Sequence, residues 1–328
     1  MTSTLLKITL QPQSPFVTPL ASDTLFGQLC WTIRHSLGEA TLHQLLEGYT
    51  QGKPFVVLSD ALPQAHIPRP SVPLSYLGYQ LNDPKKRKQI KSQTWLPLTQ
   101  ELLCRPLSQW HADSISLADI VKSNASETKL ACQSWQTVVS QPHNSLNRLT
   151  NRTGKDGGFS PFSRQAHYYH PSAQYDVYVV LDEQRLSQAQ LKGLLQQLGT
   201  FGYGKEASTG AGKFVVGDLI PINLNKHSQA NAYLSLGHAA PQGHAWQTEH
   251  CYYNTTVRFG RHGAEAVYIG SPFKNPTMLT TAGAIFSPSQ FEQCLFVGQG
   301  LTGVSNTIKT TVQQGYAPVL PVYFDSKD

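Results

Sequence analysis

YDVYVVLDEQRLSQAQLKGLLQQLGTFGYGKEASTGAGKFVVGDLIPI, residues 175–222, decides the fold. Its first eight residues, YDVYVVLD, are a β-branched and aromatic run and read as a strand. SQAQLKGLLQQLG (187–199) puts Leu191, Leu194, Leu195 and Leu198 on one helical face. KFVVGDLIPI (213–222) is a second strand. Between helix and strand, FGYGKEASTGAGKF (201–214) packs four glycines, two lysines, a serine and a threonine into one bend.

The same grammar recurs upstream. LLKITLQ (5–11) alternates, with Leu6, Ile8 and Leu10 on one face of a strand. After a proline-punctuated turn, SDTLFGQLCWTIRHSLG reads as a helix capped by Ser22 or Asp23 and closed by Gly38. EATLHQLLEGY predicts a second helix and FVVLSD a short strand. KLACQSWQTVVSQ (129–141) reads as a ragged strand, and the polar tongue from it to Tyr175 predicts a long projecting hairpin, about 142–172. With an insertion of about 60–130 set aside, residues 1–225 run strand, helix, strand, strand, helix, strand. That order is the ferredoxin-like (RRM-like) βαββαβ unit, an α+β fold. Residues 226–328 are rich in strand-like runs and predict a smaller, degenerate domain of related design.

The chain has 328 residues, 40% hydrophobic and 10% aromatic, enough for a real core. Lys and Arg outnumber Asp and Glu 26 to 20, a net charge of +6 that makes polyanions the first partners to consider. DPKKRKQIKSQ (83–93) is a basic run that reads first as a solvated face. Five cysteines, Cys30, Cys104, Cys132, Cys251 and Cys294, form no CxxC pair, which argues for reduced thiols and against zinc. No apolar run reaches the roughly 20 residues of a membrane helix. The expectation is a soluble cytoplasmic protein without membrane attachment, metal or cofactor.

Two glycine motifs fail on context. Gly199, Gly204 and Lys205 match G-x-x-x-x-G-K, but Glu206 stands where magnesium needs Ser or Thr, and the bend follows a helix instead of a strand. GQGLTG at Gly298, Gly300 and Gly303 lacks a following helix former and an acid about 20 residues on. The remaining readings of 201–214 are a cradle for a sugar-phosphate backbone and a plain surface loop. In the first, Gly202, Gly204, Gly210 and Gly212 allow close approach and turn amides toward phosphate, with Lys205, Lys213, Ser208 and Thr209 as donors.

PLASDTLFGQLCWTIR, HIPRP, LNRLTNRTG, FGYGKEASTGAGKF and QGYAPVLPV occur in an order that resembles the RAMP superfamily of CRISPR effector proteins. Within it, the chain is most similar to the fourth subunit of type III-A Csm complexes; residues 80–130 carry none of the resemblance. The resemblance implies two ferredoxin-like domains and a thumb hairpin. It also implies a non-catalytic role: binding the repeat-derived 5′ tag of the CRISPR RNA, capping that end of the ribonucleoprotein, and joining the large polymerase-like subunit to the backbone RAMP subunit in antiviral defence. By position, Gly202 to Lys213 would hold the tag, and Asn147, Arg148 and Arg152 would form the thumb near the target RNA. Ser22 and Thr24 would donate to phosphate at a helix N-terminus, or Ser22 would simply cap it. Arg69 would reach tag bases, and Tyr316 would stack on a base or sit in the core. The alternative within the superfamily is a metal-independent endoribonuclease using His35 or the His167/His170 pair. A nucleotide-binding enzyme built on GQGLTG is the third reading.

Overall fold

The computed structural model describes residues 3–79, 84–124, 134–153, 161–223 and 229–325. Strand β1 (Ser3–Pro12) leads to helix α1 (Ser22–Leu37), which Gly38 ends at φ +92°, and then to α2 (Glu39–Leu46) and strand β2 (Val56–Leu58). Strands β3 (Gln136–His143) and β4 (Phe162–Tyr169) form a hairpin. Strand β5 (Tyr175–Asp182), helix α3 (Gln188–Phe201) and strand β6 (Phe214–Pro221) complete the N-terminal half. Ser187 and Gln190 make a reciprocal capping box that starts α3.

The main sheet has the order β2–β5–β1–β6, every pair antiparallel. Leu6 faces Val179 and Ile8 faces Val177 across β1 and β5, the pairing the alternating pattern calls for. Helices α1 and α3 pack side by side, α3 against β6 and α1 against β2. β5 is buried from Tyr175 to Leu181, which explains its unbroken apolar text.

Two sequence expectations change here. The ragged strand at 129–141 is not part of the main sheet: Gln136–His143 pairs with Phe162–Tyr169, and β2 holds the sheet position beside β5. The hairpin's second arm is therefore FSRQAHYY, a polar stretch, because neither strand has a core to face along most of its length. Residues 129–133 and 154–160 of that reading, and Cys132, lie outside the described residues.

The C-terminal half builds β7 (Ala232–Ser235), the pair β8 (Thr255–Arg258) and β9 (Thr277–Thr280), β10 (Ile285–Phe286), β11 (Phe296–Leu301) and β12 (Gln313–Val322). Its larger sheet is β10–β7–β12–β11. The expected ferredoxin-like helices are missing: no α-helix follows Phe201 among the described residues, only 3₁₀ turns at Ala207–Thr209, Thr248–His250 and Ala264–Tyr268. α1 packs against β12, so a helix of the first half covers the second sheet. One hydrophobic cluster runs from Leu5 through Phe26, Tyr49 and Leu58 to Tyr316, Leu320 and Phe324. At the seam, Gln314 accepts from the Leu58 amide at 3.0 Å and donates to the Leu58 carbonyl at 2.7 Å, closing the outer edge of β2.

No described helix is long and apolar enough to cross a membrane. The described cysteines, Cys30, Cys104, Cys251 and Cys294, are free thiols, as expected.

Candidate nucleic-acid interface

The bend after α3 is shaped by glycine where a side chain would not fit. Gly202, Gly204, Gly210 and Gly212 all have positive φ, as does Glu206. A Cβ on Gly212 would lie 2.1 Å from the Tyr203 carbonyl oxygen, and one on Gly204 2.5 Å from Thr18 Cβ. Close backbone approach within the fold is thus what these glycines serve first.

Most amides of the bend are already engaged by the protein, which corrects the expectation that they turn toward phosphate. Tyr203 N–H donates to the Gly212 carbonyl, Gly212 N–H to Pro15, Lys205 N–H to Thr18 Oγ1 and Lys213 N–H to Ser14 Oγ. Thr209, Gly210 and Ala211 donate to carbonyls inside the bend. Tyr203 is buried and its hydroxyl donates to the Pro19 carbonyl at 2.7 Å. What the bend offers outward is side-chain chemistry: Lys205, Lys213 and Ser208 are exposed, and so is Thr209, although its hydroxyl already donates to the Glu206 carbonyl at 3.0 Å.

The hairpin rises from the same place. Phe16 and His167 exchange both backbone hydrogen bonds, at 3.0 and 2.8 Å, and the Arg164 guanidinium pairs with Glu206 of the bend. The β1–α1 turn, the glycine bend and the hairpin base are therefore one assembly. Farther out, Asn147 N–H donates to the Arg152 carbonyl, and Asn147 Oδ1 accepts from the Leu149 and Thr150 amides. Asn147 is thus a turn-former, while Arg148 and Arg152 are exposed. Between them Leu149 is 96% exposed, with Leu146 at 61%. Sequence reasoning passed over these leucines; the signal was an apolar pair in an otherwise polar tongue, SLNRLTNR.

The other candidates are committed elsewhere. Ser22 is fully buried; the helix cap is Ala21, and Ser22 Oγ accepts from the His238 amide at 3.1 Å. Thr24 Oγ1 accepts from Arg258, whose guanidinium also grips Asp23 with bonds of 2.9 and 2.8 Å. The N-terminus of α1 is consequently occupied by the protein's own seam. Tyr316 is 1% exposed and donates to the Tyr49 carbonyl at 2.6 Å, the core position of its second reading. Arg69 is half-buried: it donates to the Ile90 and Gln93 carbonyls and lies over the Tyr79 ring.

A cavity of about 680 Å³ opens where these segments meet. Pro19 to Ala21, the stiff loop from Pro68 to Val72, Trp95, and Gln136 and Tyr169 at the hairpin base line it. Its polar wall holds Asp60 and His238, 2.8 Å apart. Burial opposes charge on both. Even so, the imidazole titrates above its ordinary value because of Asp60, and the carboxyl below its own because of His238 and hydrogen bonds from Ser22.

His35 sits 3.5 Å from Glu265 on an exposed surface, and His170 Nδ1 pairs with Ser172. No group of three metal-ligating side chains occurs among the described residues. Gly298 and Gly300 lie in β11, where a Cβ would strike the Gly315 carbonyl or Tyr49, and no helix follows among the described residues.

No family model matches the sequence, and no curated protein matches it significantly. Solved structures do match. A chain of the Csm3–Csm4 subcomplex of the type III-A CRISPR–Cas interference complex has a TM-score of 0.62 and 14% identity, covering 96% of this chain and 99% of that one. A chain of the Csm1–Csm4 cassette with AMPPNP has a TM-score of 0.56 and 14% identity, covering 99% and 100%. The cassette with pppApA has a TM-score of 0.54 at the same identity, covering 99% of each chain. At such identity it is the fold that is shared, and from end to end this chain has the fold of a subunit of type III-A Csm assemblies.

Proposed function

We propose that this chain is the RAMP subunit that binds and caps the 5′ tag of the guide RNA in a type III effector, bridging the large subunit and the backbone subunits. The observation that carries this is one site: the exposed Lys205, Lys213, Ser208 and Thr209 stand on a bend tied by Arg164–Glu206 to a hairpin that ends in Arg148, Leu149 and Arg152. The order β2–β5–β1–β6 supports a ferredoxin-like unit beneath it. The assemblies whose chains share the fold contain Csm1 or Csm3 beside Csm4, which supports both bridging partners.

The bend grips the tag mainly by side-chain charge and hydroxyls, because its amides are largely taken. Leu149, flanked by two arginines, acts as a wedge against the first guide–target pairs; unstacking a step costs a few kcal/mol, offset by cationic contacts. The subunit holds RNA without cutting it.

The test compares a guide RNA carrying its natural 5′ tag with one whose tag is replaced by oligouridylate. Tighter, salt-dependent binding of the tagged RNA, lost in the Lys205→Ala/Lys213→Ala variant, supports the reading. Equal affinity for both RNAs, or an unaffected variant, overturns it. Repeat RNA incubated with the protein in EDTA stays intact; cleavage abolished by His35→Ala or His167→Ala would establish the nuclease instead.

A further inference from the structure

Nine residues hold nearly all of the chain's excess charge. Pro84–Ser92, PKKRKQIKS, contains five of the 26 Lys and Arg residues and no acid; the remaining sequence has 21 bases against 20 acids. This run forms a helix, and on it Lys86, Lys88 and Lys91 are exposed while Ile90 is buried. No ion pair among the described residues involves these three lysines.

The helix is held firmly and in one place. Arg69 donates to the carbonyls of Ile90 and Gln93 at 2.7 and 2.6 Å, at the negative end of the helix dipole. The Arg69 amide donates to the Thr94 carbonyl at 2.8 Å. Arg69, Thr94 and Trp95 in turn line the 680 Å³ cavity, together with Gln136 and Tyr169 of the hairpin base. A basic helix is thus pinned next to the cavity that adjoins the hairpin.

We propose that this basic helix is a second, sequence-independent RNA contact, in which Lys88 and Lys91, neighbours on its outward face, and Lys86 at its flank hold the backbone of a single strand that passes the cavity and the hairpin base. The occupant is single-stranded RNA because the surface offers exposed ammonium groups beside the cavity at the hairpin base, which suit phosphate charge and read no base. Nine helical residues span about 13 Å, room for two or three phosphates of an extended strand. The proposal rests on the RNA-binding reading for the class of ligand, and on the helix for its place.

The experiment titrates fluorescein-labelled 30-nucleotide oligouridylate with the full chain across a salt gradient, comparing wild type, Lys86→Ala/Lys88→Ala/Lys91→Ala, and Lys205→Ala/Lys213→Ala. Three phosphate contacts on a single strand correspond to a slope of about 2 in log K against log salt. The triple variant should lose about that much slope and bind at least about tenfold more weakly at 100 mM salt. The loss should be the same for tagged and untagged guide RNA, whereas the double variant loses preference for the tag; the two readings therefore fail separately. Should the triple variant misfold, acetylation of the wild-type chain decides: RNA should shield Lys86, Lys88 and Lys91. An unchanged slope in a folded triple variant, or equal acetylation with and without RNA, overturns the proposal.

Discussion

Ser22 and Thr24 look free to donate to a phosphate when only the helix pattern is known, and both turn out to be spent inside the molecule. The same seam holds the Asp60–His238 pair, whose contribution has a pH window. His238 titrates above its ordinary value, so its share of stability is full below about pH 6.5 and lost as pH rises through the folded value. Asp60 titrates below its ordinary value, so its share is present above about pH 4 and lost as pH falls through the folded value. Thermal melts of wild type and His238→Gln should therefore differ most near pH 5–6, by about 1.5–3 kcal/mol, and converge toward pH 8. A gap that widens on the alkaline side would contradict the charged pair. Tyr316→Phe should cost about 1–3 kcal/mol by stranding the Tyr49 carbonyl and leave RNA affinity unchanged. A loss of RNA affinity in a stable Tyr316→Phe protein would return that tyrosine to the binding surface.

The glycine bend is the element on which the site depends, and its four glycines are not equivalent. Gly210, at φ +94°, faces open space, so Gly210→Ala should cost only the left-handed penalty of about 1–2 kcal/mol. Gly212, at φ +74°, lies against Tyr203, with which it also shares a 2.9 Å hydrogen bond. Gly212→Ala should add a clash to that penalty and lower stability well beyond Gly210→Ala in denaturant titrations. Equal midpoints for the two variants would mean the bend is not internally braced. The two strands of the hairpin make a different point. Their exposed faces carry no burial pattern, so the turn tip was readable from LNRLTNR, while the partner strand was not.

At the scale of the whole molecule, one hydrophobic cluster takes residues from both halves. A single cluster joins Leu5 to Phe324, Gln314 closes the edge of β2, and α1 serves both sheets. Calorimetry of the full chain should show one cooperative transition, with van't Hoff and calorimetric enthalpies in agreement. Two resolved transitions, one for each half, would refute the shared core.

By itself the sequence determined what is local. The alternation of Leu6, Ile8 and Leu10, the leucine stripe of α3 and the glycine bend each lie within a few residues and were readable as such. The sheet order did not follow from those elements alone, since the strand beside β5 is β2 and residues 136–141 of the ragged stretch at 129–141 went to the hairpin. Tertiary structure alone decided which polar groups face solvent. Ser22 and Tyr316 are buried, and Thr24 and most of the bend's amides are bonded within the protein, by partners up to 267 residues away. Lys205, Lys213, Arg148 and Leu149 are left on it. Exposure depends on what the rest of the chain packs against a residue, and no local pattern encodes that.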